Sequence, residues 1–393
     1  MIEKLALIAV ALLFLLTPSI DCAPAEPETI KIGCVLSTTG LLGPKGKDRL
    51  EAARLAVEEI NADGGVLSTL VKLLEADDAT DPDRCLEKVK KMVQADGVTV
   101  LVGGMSSGAV MACGPYLAEQ KVLMVSPSAT STDISDQPWT NWVFRTTPRD
   151  AFQGRILAKV IMEEGFTRLA TMVQANPYGV SLEEVLIEAL KKAGWNGNHV
   201  ISIHFDPAKE DYRTQLQSIK DSEPDVVLAV TYIEDGIIIF KQALEMGLDE
   251  IAWLGCDGNY SDHMFRDPKC AEFMEKAILA GTRSVPPSGE TYDKFAAAYK
   301  AATGKDPSVY CDTTYDAVKM IAKAIEKAGI YDGEAIKDAL FEVGQKYRGA
   351  SGIITFNDKG DRVSGIYEIW KVVKDPTTET GYKNVRIEVI SIG

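Results

Sequence analysis

Hydrophobic and polar positions switch between two periods along this chain, and the switches come in regular order. Short apolar runs at 29–36, 70–74, 98–102, 122–125 and 142–146 predict strands. Between them apolar residues return at helical spacing, as at Leu50, Ala53, Val57 and Ile60 in a helix over 48–61 closed by Asp63-Gly64-Gly65. Asp81 and Pro82 supply an N-cap and a first-turn proline for a helix through Gln94. From Asp150 the series restarts, with helices over 152–164, 179–193, 212–220 and 236–246 and strands over 168–173, 199–204, 225–230, 251–254 and 277–282. After Pro286-Pro287 come helices over 291–302, 313–328 and 333–343, then strands near 352–356, 365–373 and 385–392. Two strand–helix series predict an α/β fold of two lobes, each a parallel sheet flanked by helices.

Helices and strands that return after both series imply lobes built from non-contiguous segments. The expected division is 26–147 with 284–354 for lobe I and 148–283 with 355–393 for lobe II. Chain crossings at 145–149, 282–287 and 349–355 would form a hinge. A length of 393 residues fits two cores better than one.

The stretch 98–130 holds the densest chemistry. Two apolar strands there each end in small polar residues, Gly104-Met105-Ser106-Ser107-Gly108 and Ser126-Pro127-Ser128-Ala129-Thr130. Adjacent parallel strands bring such loops together at their carboxyl ends, where open α/β sheets bind ligands. The first loop matches G-x-S-x-G between strand and helix, which would make Ser106 a hydrolase nucleophile. That chemistry needs a histidine late in the chain, and the three histidines are His199, His204 and His263. No enzyme activity is therefore expected. A carboxylate placed before the helix at Ser107 would instead meet unpaired N–H groups and hydroxyls from Ser107 and from Ser128 to Thr130. The plainer alternative is that Ser107 is an N-cap and Ser126-Pro127 a turn. In the second series, Tyr178, Tyr232 and Asp257 each follow a strand and fall on the facing edge. Asp257 suits a ligand ammonium or a simple turn. The loop 40–47 lacks phosphate-loop spacing and reads as a flexible rim, with Lys45 solvated or turned to the pocket.

A net charge of −15 argues against nucleic acid or anionic membrane surfaces as partners. The apolar run 5–16, followed by Pro- and Ala-rich 17–27, fits a signal peptide over 1–25 and is too short to span a bilayer. Export is expected, with Cys22 a candidate lipid anchor against which acidic Asp21 stands. The seven cysteines show no metal-ligand spacing, and neither metal nor cofactor is expected. Cys85 and Cys113, on helices beside one strand, are the candidate disulfide, and Cys34 a buried thiol.

Several segments together carry a resemblance: Ala53 to Gly65 (AARLAVEEINADGG), Asp77-Asp78, Gly103 to Ser107, Val125 to Thr130 (VSPSAT), Phe144-Arg145, Tyr178-Gly179, Tyr212 to Lys220 and Tyr315-Asp316-Ala317. From Thr29 onward the chain resembles the type I periplasmic substrate-binding proteins of the leucine/isoleucine/valine-binding group. The resemblance implies the two-lobed type I fold and an extracytoplasmic monomer that closes on a small molecule and delivers it to a membrane ABC permease. It assigns Ser107, Ser128, Ala129 and Thr130 to the ligand carboxylate and part of the ammonium. Asp257 falls where amino-acid binders use an acid for the ammonium, and Tyr178 and Tyr232 where the second lobe covers the ligand. Lys45 stands where these binders often present an aromatic. The family's bridging cysteines are replaced by Thr80 and Ser106, so any bridge here is another. An aliphatic or branched-chain amino acid is the expected ligand, with an aromatic or aliphatic acid, an amide or urea as the alternative.

Overall fold

The computed structural model describes residues 29–392, so the expected signal peptide and Cys22 lie outside the described residues. The first series forms β1 (Ile30–Leu36), α1 (Gly43–Ala62), β2 (Val71–Asp77), α2 (Pro82–Asp96), β3 (Val100–Gly103), α3 (Ser107–Gln120), β4 (Leu123–Ser126) and β5 (Val143–Pro148). The second series forms α4 (Asp150–Glu163), β6 (Arg168–Gln174), α5 (Pro177–Lys192), β7 (Asn198–Phe205), α6 (Arg213–Asp221), β8 (Val226–Val230), α7 (Ile233–Glu245), β9 (Ala252–Gly255), α8 (Pro268–Ala277) and β10 (Ile278–Ser284). The remainder forms α9 (Glu290–Thr303), α10 (Cys311–Ala328), α11 (Gly333–Val343), β11 (Tyr347–Gly349), β12 (Gly352–Ile354), β13 (Asp361–Arg362), β14 (Gly365–Lys374) and β15 (Tyr382–Ile392).

One sheet runs β13-β5-β4-β3-β1-β2 and the other β15-β14-β10-β9-β8-β6-β7. Both are parallel except where β14 and β15 join antiparallel, as a late ribbon at the edge. Central strands such as β3 and β8 are buried at every residue, which is why they read as unbroken apolar runs. Helix α10 returns to pack on α1, and α5 packs on α4, so each sheet keeps its own helical cover.

Several expectations need correction. The expected boundary at 354 put β13 in the second lobe, yet β13 pairs with β5 in the first sheet. The last crossing therefore falls between Arg362 and Gly365 rather than at 349–355. Helix α8 has no counterpart among the predicted elements, although it begins with the same Asp-Pro signal as α2. Asp267 accepts from Lys269 N at 2.9 Å and from Cys270 N at 3.1 Å. The loop 40–47 is not a flexible rim: 40–42 form a 3-10 turn and α1 begins at Gly43.

Cys85 and Cys113 meet between α2 and α3, but as thiols whose sulfurs stand 3.6 Å apart rather than as a bridge. Cys34 is a buried thiol as expected. Among the described residues no helix is long and apolar enough to cross a membrane.

Candidate functional site

The loops leaving β1, β3, β4, β6, β8 and β9 converge at the carboxyl edges of the two sheets. Between them lies a cavity of about 20 Å³, lined by Leu42, Lys45, Arg49, Met105, Ser106, Ser107, Ser128, Tyr178, Tyr232, Asp257, Gly258 and Tyr310. That is room for about one water. Any larger ligand requires the lobes to part. Roomier surface hollows, such as one of about 520 Å³ beside Gly64 and Glu326, gather no comparable set of buried polar groups.

The first lobe contributes three pieces. Helix α1 starts hard against the loop after β1, where a Cβ on Gly46 would stand 1.7 Å from the Ser37 carbonyl oxygen. This close approach carries Lys45 and Arg49 into the cleft, at 4% and 2% exposure. At the end of β3, Gly103 and Gly104 turn the chain at φ 152 and 62, conformations glycine adopts without strain. Ser106 then caps α3, its Oγ accepting from Ala109 N at 3.2 Å. Ser107 Oγ accepts from Ser131 N at 3.2 Å, which leaves its own proton to donate. After β4, Ser128 Oγ donates to the Met105 carbonyl at 2.7 Å and accepts from Arg49 Nη1 at 2.9 Å.

The second lobe presents a stacked pair and an acid. Asn176 caps α5 by accepting from Tyr178 N at 3.1 Å and Gly179 N at 3.0 Å. Asp235 accepts from the N–H of Tyr232 at 3.1 Å. The two rings so placed lie 5.4 Å apart and 7° from parallel. Tyr178 Oη donates to Asp257 Oδ1 at 2.8 Å. From the first lobe, Tyr310 Oη donates to Asp257 Oδ2 at 3.0 Å. Lys45 Nζ donates to the carbonyls of Asp257 and Gly258, each at 2.8 Å. The loop 257–258 is thus clamped by groups from α1 and from the start of α10.

Six of the eight sequence-predicted site residues therefore share one cavity: Lys45, Ser107, Ser128, Tyr178, Tyr232 and Asp257. Lys45 is not solvated. Ala129 and Thr130 are buried behind the lining, and the Ala129 N–H already donates to Ser126 Oγ at 3.1 Å. The Thr130 hydroxyl is buried beside the Asp150 carboxyl. The Ser128 hydroxyl is engaged at both ends, so it orients Arg49.

Sequence reasoning missed Arg49, Tyr310 and Asp150. Arg49 lies on the stripe of Ala53, Ala56 and Ile60, and a cation on an apolar stripe was its signal. Tyr310 has φ 67, a left-handed conformation that costs a bulky residue about 1–3 kcal/mol. It faces both Asp257 and Arg49, whose guanidinium lies 5.1 Å from the ring centroid. No pattern in the chain announces that turn.

Burial dominates the electrostatics. It pushes the Lys45 ammonium down to about 7, with the Arg49 charge adding to the push. Burial and then the Asp257 charge push the Asp150 carboxyl up to about 8, while the neighbouring Thr130 and Ser181 hydroxyls pull the other way. A carboxyl raised on folding favours the folded state fully below the unfolded value of 3.8, and that contribution fades as pH rises toward 8. Asp150→Asn is expected to flatten this decline, so that its melting temperature matches the parent near pH 4 and exceeds it at pH 8. Parallel melting curves at all pH values would show that Asp150 does not titrate on folding.

Nothing here assembles a hydrolase. Ser106 is a helix cap; His204 pairs with Glu183 at 2.6 Å in the second lobe, His199 stands beside the same acid, and His263 is exposed.

A family model described as periplasmic binding protein matches residues 29–376. The Leu/Ile/Val-binding protein BraC3 of Rhizobium johnstonii is 29% identical over 358 residues, covering 91% of this chain and 95% of that one. The crystal structure of the leucine binding protein LivK from Thermotoga maritima superposes with a TM-score of 0.81 at 24% identity, covering 92% of this chain and 99% of that one. A solute binding protein of an ABC transporter from Rhodopseudomonas palustris, in complex with 3,4-dihydroxy benzoic acid, gives 0.78 at 23% identity, covering 93% and 98%.

Proposed function

This chain belongs to the periplasmic binding protein family, whose members bind solutes and are not enzymes, and from that premise we propose that it captures a small α-amino acid between its lobes. The observation that carries the amino-acid reading is Asp257, aimed into the cleft and held by Tyr178 and Tyr310. An ionised carboxylate offers roughly four acceptor positions. The two phenols use two of them, which leaves capacity for an ammonium. Across the cavity Ser107 retains a hydroxyl proton at the start of α3, where the helix N-terminus favours a carboxylate. BraC3 is by name a Leu/Ile/Val-binding protein, which supports a ligand of this chemistry.

Three hydrogen bonds cross between the lobes here, two from Lys45 and one from Tyr310. Opening breaks them, and a ligand that touches both lobes favours closure by its differential affinity. The protein acts as an extracytoplasmic monomer and hands its ligand to the permease of an ABC transporter.

The stacked Tyr178–Tyr232 pair favours one rival, an aromatic acid of the kind seen in the dihydroxybenzoate complex. Calorimetry against a panel of α-amino acids and hydroxybenzoates decides between them. An amino acid present at a hundred times its dissociation constant is expected to add about 2.7 kcal/mol to stability. Binding of benzoates with no response to any amino acid would sink the amino-acid reading.

A further inference from the structure

Lys45 and Arg49 are four residues apart in the first turns of α1, and both are buried. Everything about that placement is unfavourable without an anion. Like charges at this spacing repel, cations oppose the positive end of the helix dipole, and burying a charge is costly unless it is paired. Yet the hydrogen bonds of both residues go to carbonyls and a hydroxyl, and neither forms an ion pair with a protein carboxylate among the described residues. Lys45 meets two carbonyls. Arg49 Nε donates to the Val309 carbonyl at 3.3 Å and Nη1 to Ser128. Its Nη2 donates to no protein group among the described residues, and the guanidinium lines the cavity.

The cavity lining holds Arg49 and Lys45 against Asp257; burial pushes the Lys45 ammonium down to about 7, and an anion beside it would hold it protonated. Asp150 lies behind Thr130 and, pushed up to about 8, is largely protonated at neutral pH. With Lys45 held protonated by a bound anion, one positive charge is in excess. A ligand with a neutral side chain brings one carboxylate and one ammonium and leaves that excess in place. We infer that Arg49, with Lys45 beside it, receives an anionic group on the ligand's side chain, so that the solute is an acidic α-amino acid. This rests on the amino-acid reading above and departs from the aliphatic ligand expected from resemblance. Ser128 and Tyr310 act as positioning residues, one holding the guanidinium by its edge and the other by its face.

The test is calorimetry of the full chain and of Arg49→Met with glutamate, aspartate, leucine and glutarate. An acidic amino acid should bind at least tenfold tighter than leucine. Arg49→Met should weaken it by at least about thirtyfold, as expected when one partner of a buried charge pair is truncated. Leucine affinity should change less than threefold. Leucine binding as tightly as glutamate and aspartate, or an unchanged ratio in Arg49→Met, overturns the assignment and leaves the amino-acid reading standing. Glutarate binding as tightly as glutamate overturns the amino-acid reading and leaves the Arg49 assignment. The unliganded melting temperature of Arg49→Met should equal or exceed that of the parent, because an unpaired buried cation is removed; a marked fall would make Arg49 structural and overturn the proposal.

Discussion

Asp257→Ala is expected to lower affinity for the amino-acid ligand by about thirty- to several thousand-fold, the 2–5 kcal/mol that follows when a buried charge loses its partner. The change strands the ligand ammonium and, with it, the hydroxyls of Tyr178 and Tyr310, both of which donate to this carboxylate. Asp257→Asn separates the two effects. It keeps an acceptor for a phenol and removes the charge, so affinity should stay low if the ammonium is what Asp257 holds. Calorimetry reads this directly. Near-parent affinity in the Asn variant would mean that Asp257 only fastens the tyrosines, and the ligand then carries no ammonium.

The second large effect concerns stability. Arg145 is fully buried on β5 and joins three parts of the first lobe. Its Nε donates to Asp361 Oδ1 on β13 at 2.8 Å, and its Nη2 reaches the same oxygen and Ser135 Oγ. Its Nη1 donates to the carbonyls of Ala129 at 3.3 Å and Ser131 at 2.6 Å, the loop that carries Ser128. Asp361→Ala leaves this guanidinium buried without a counter-charge and is expected to destabilise the protein by about 3–5 kcal/mol in urea unfolding. Replacing both partners, Arg145→Met with Asp361→Leu, should recover most of the loss, since an apolar pair of similar volume avoids the desolvation cost. A loss below about 1 kcal/mol in Asp361→Ala would show the pair to be hydrated or relaxed.

How far the site was legible follows from what kind of signal each residue leaves. Ser107, Tyr178, Tyr232 and Asp257 each sit at or just after the end of a predicted strand, and the rule that parallel sheets bind at their carboxyl edges needs only that position. Lys45 was visible, but its loop was misjudged, because a Gly-rich stretch with a charged residue looks like a solvated rim. The close approach of Gly46 to Ser37 makes it the first turn of a helix instead. Arg49 was hidden by its own helix, since the apolar repeat around it gives the stripe and says nothing of which cation on that stripe faces a cleft. Asp150 sits just after β5 where the chain passes to the second series, and Tyr310 in the left-handed turn between α9 and α10, and no local pattern encodes either placement.

The sequence by itself determined the alternation of strands and helices, because period, caps and turn residues are local and each acts within a few positions. It likewise determined two parallel-sheet lobes, since unbroken apolar strands joined by helices admit few other arrangements. Only the tertiary structure decided that Asp361 returns to β5, that Lys45 and Tyr310 reach across to the loop at Asp257, and that Arg49 is buried without an anionic partner. Those contacts join residues more than fifty positions apart. Their energies depend on distance and desolvation in the folded cleft, quantities that exist only once both lobes are built.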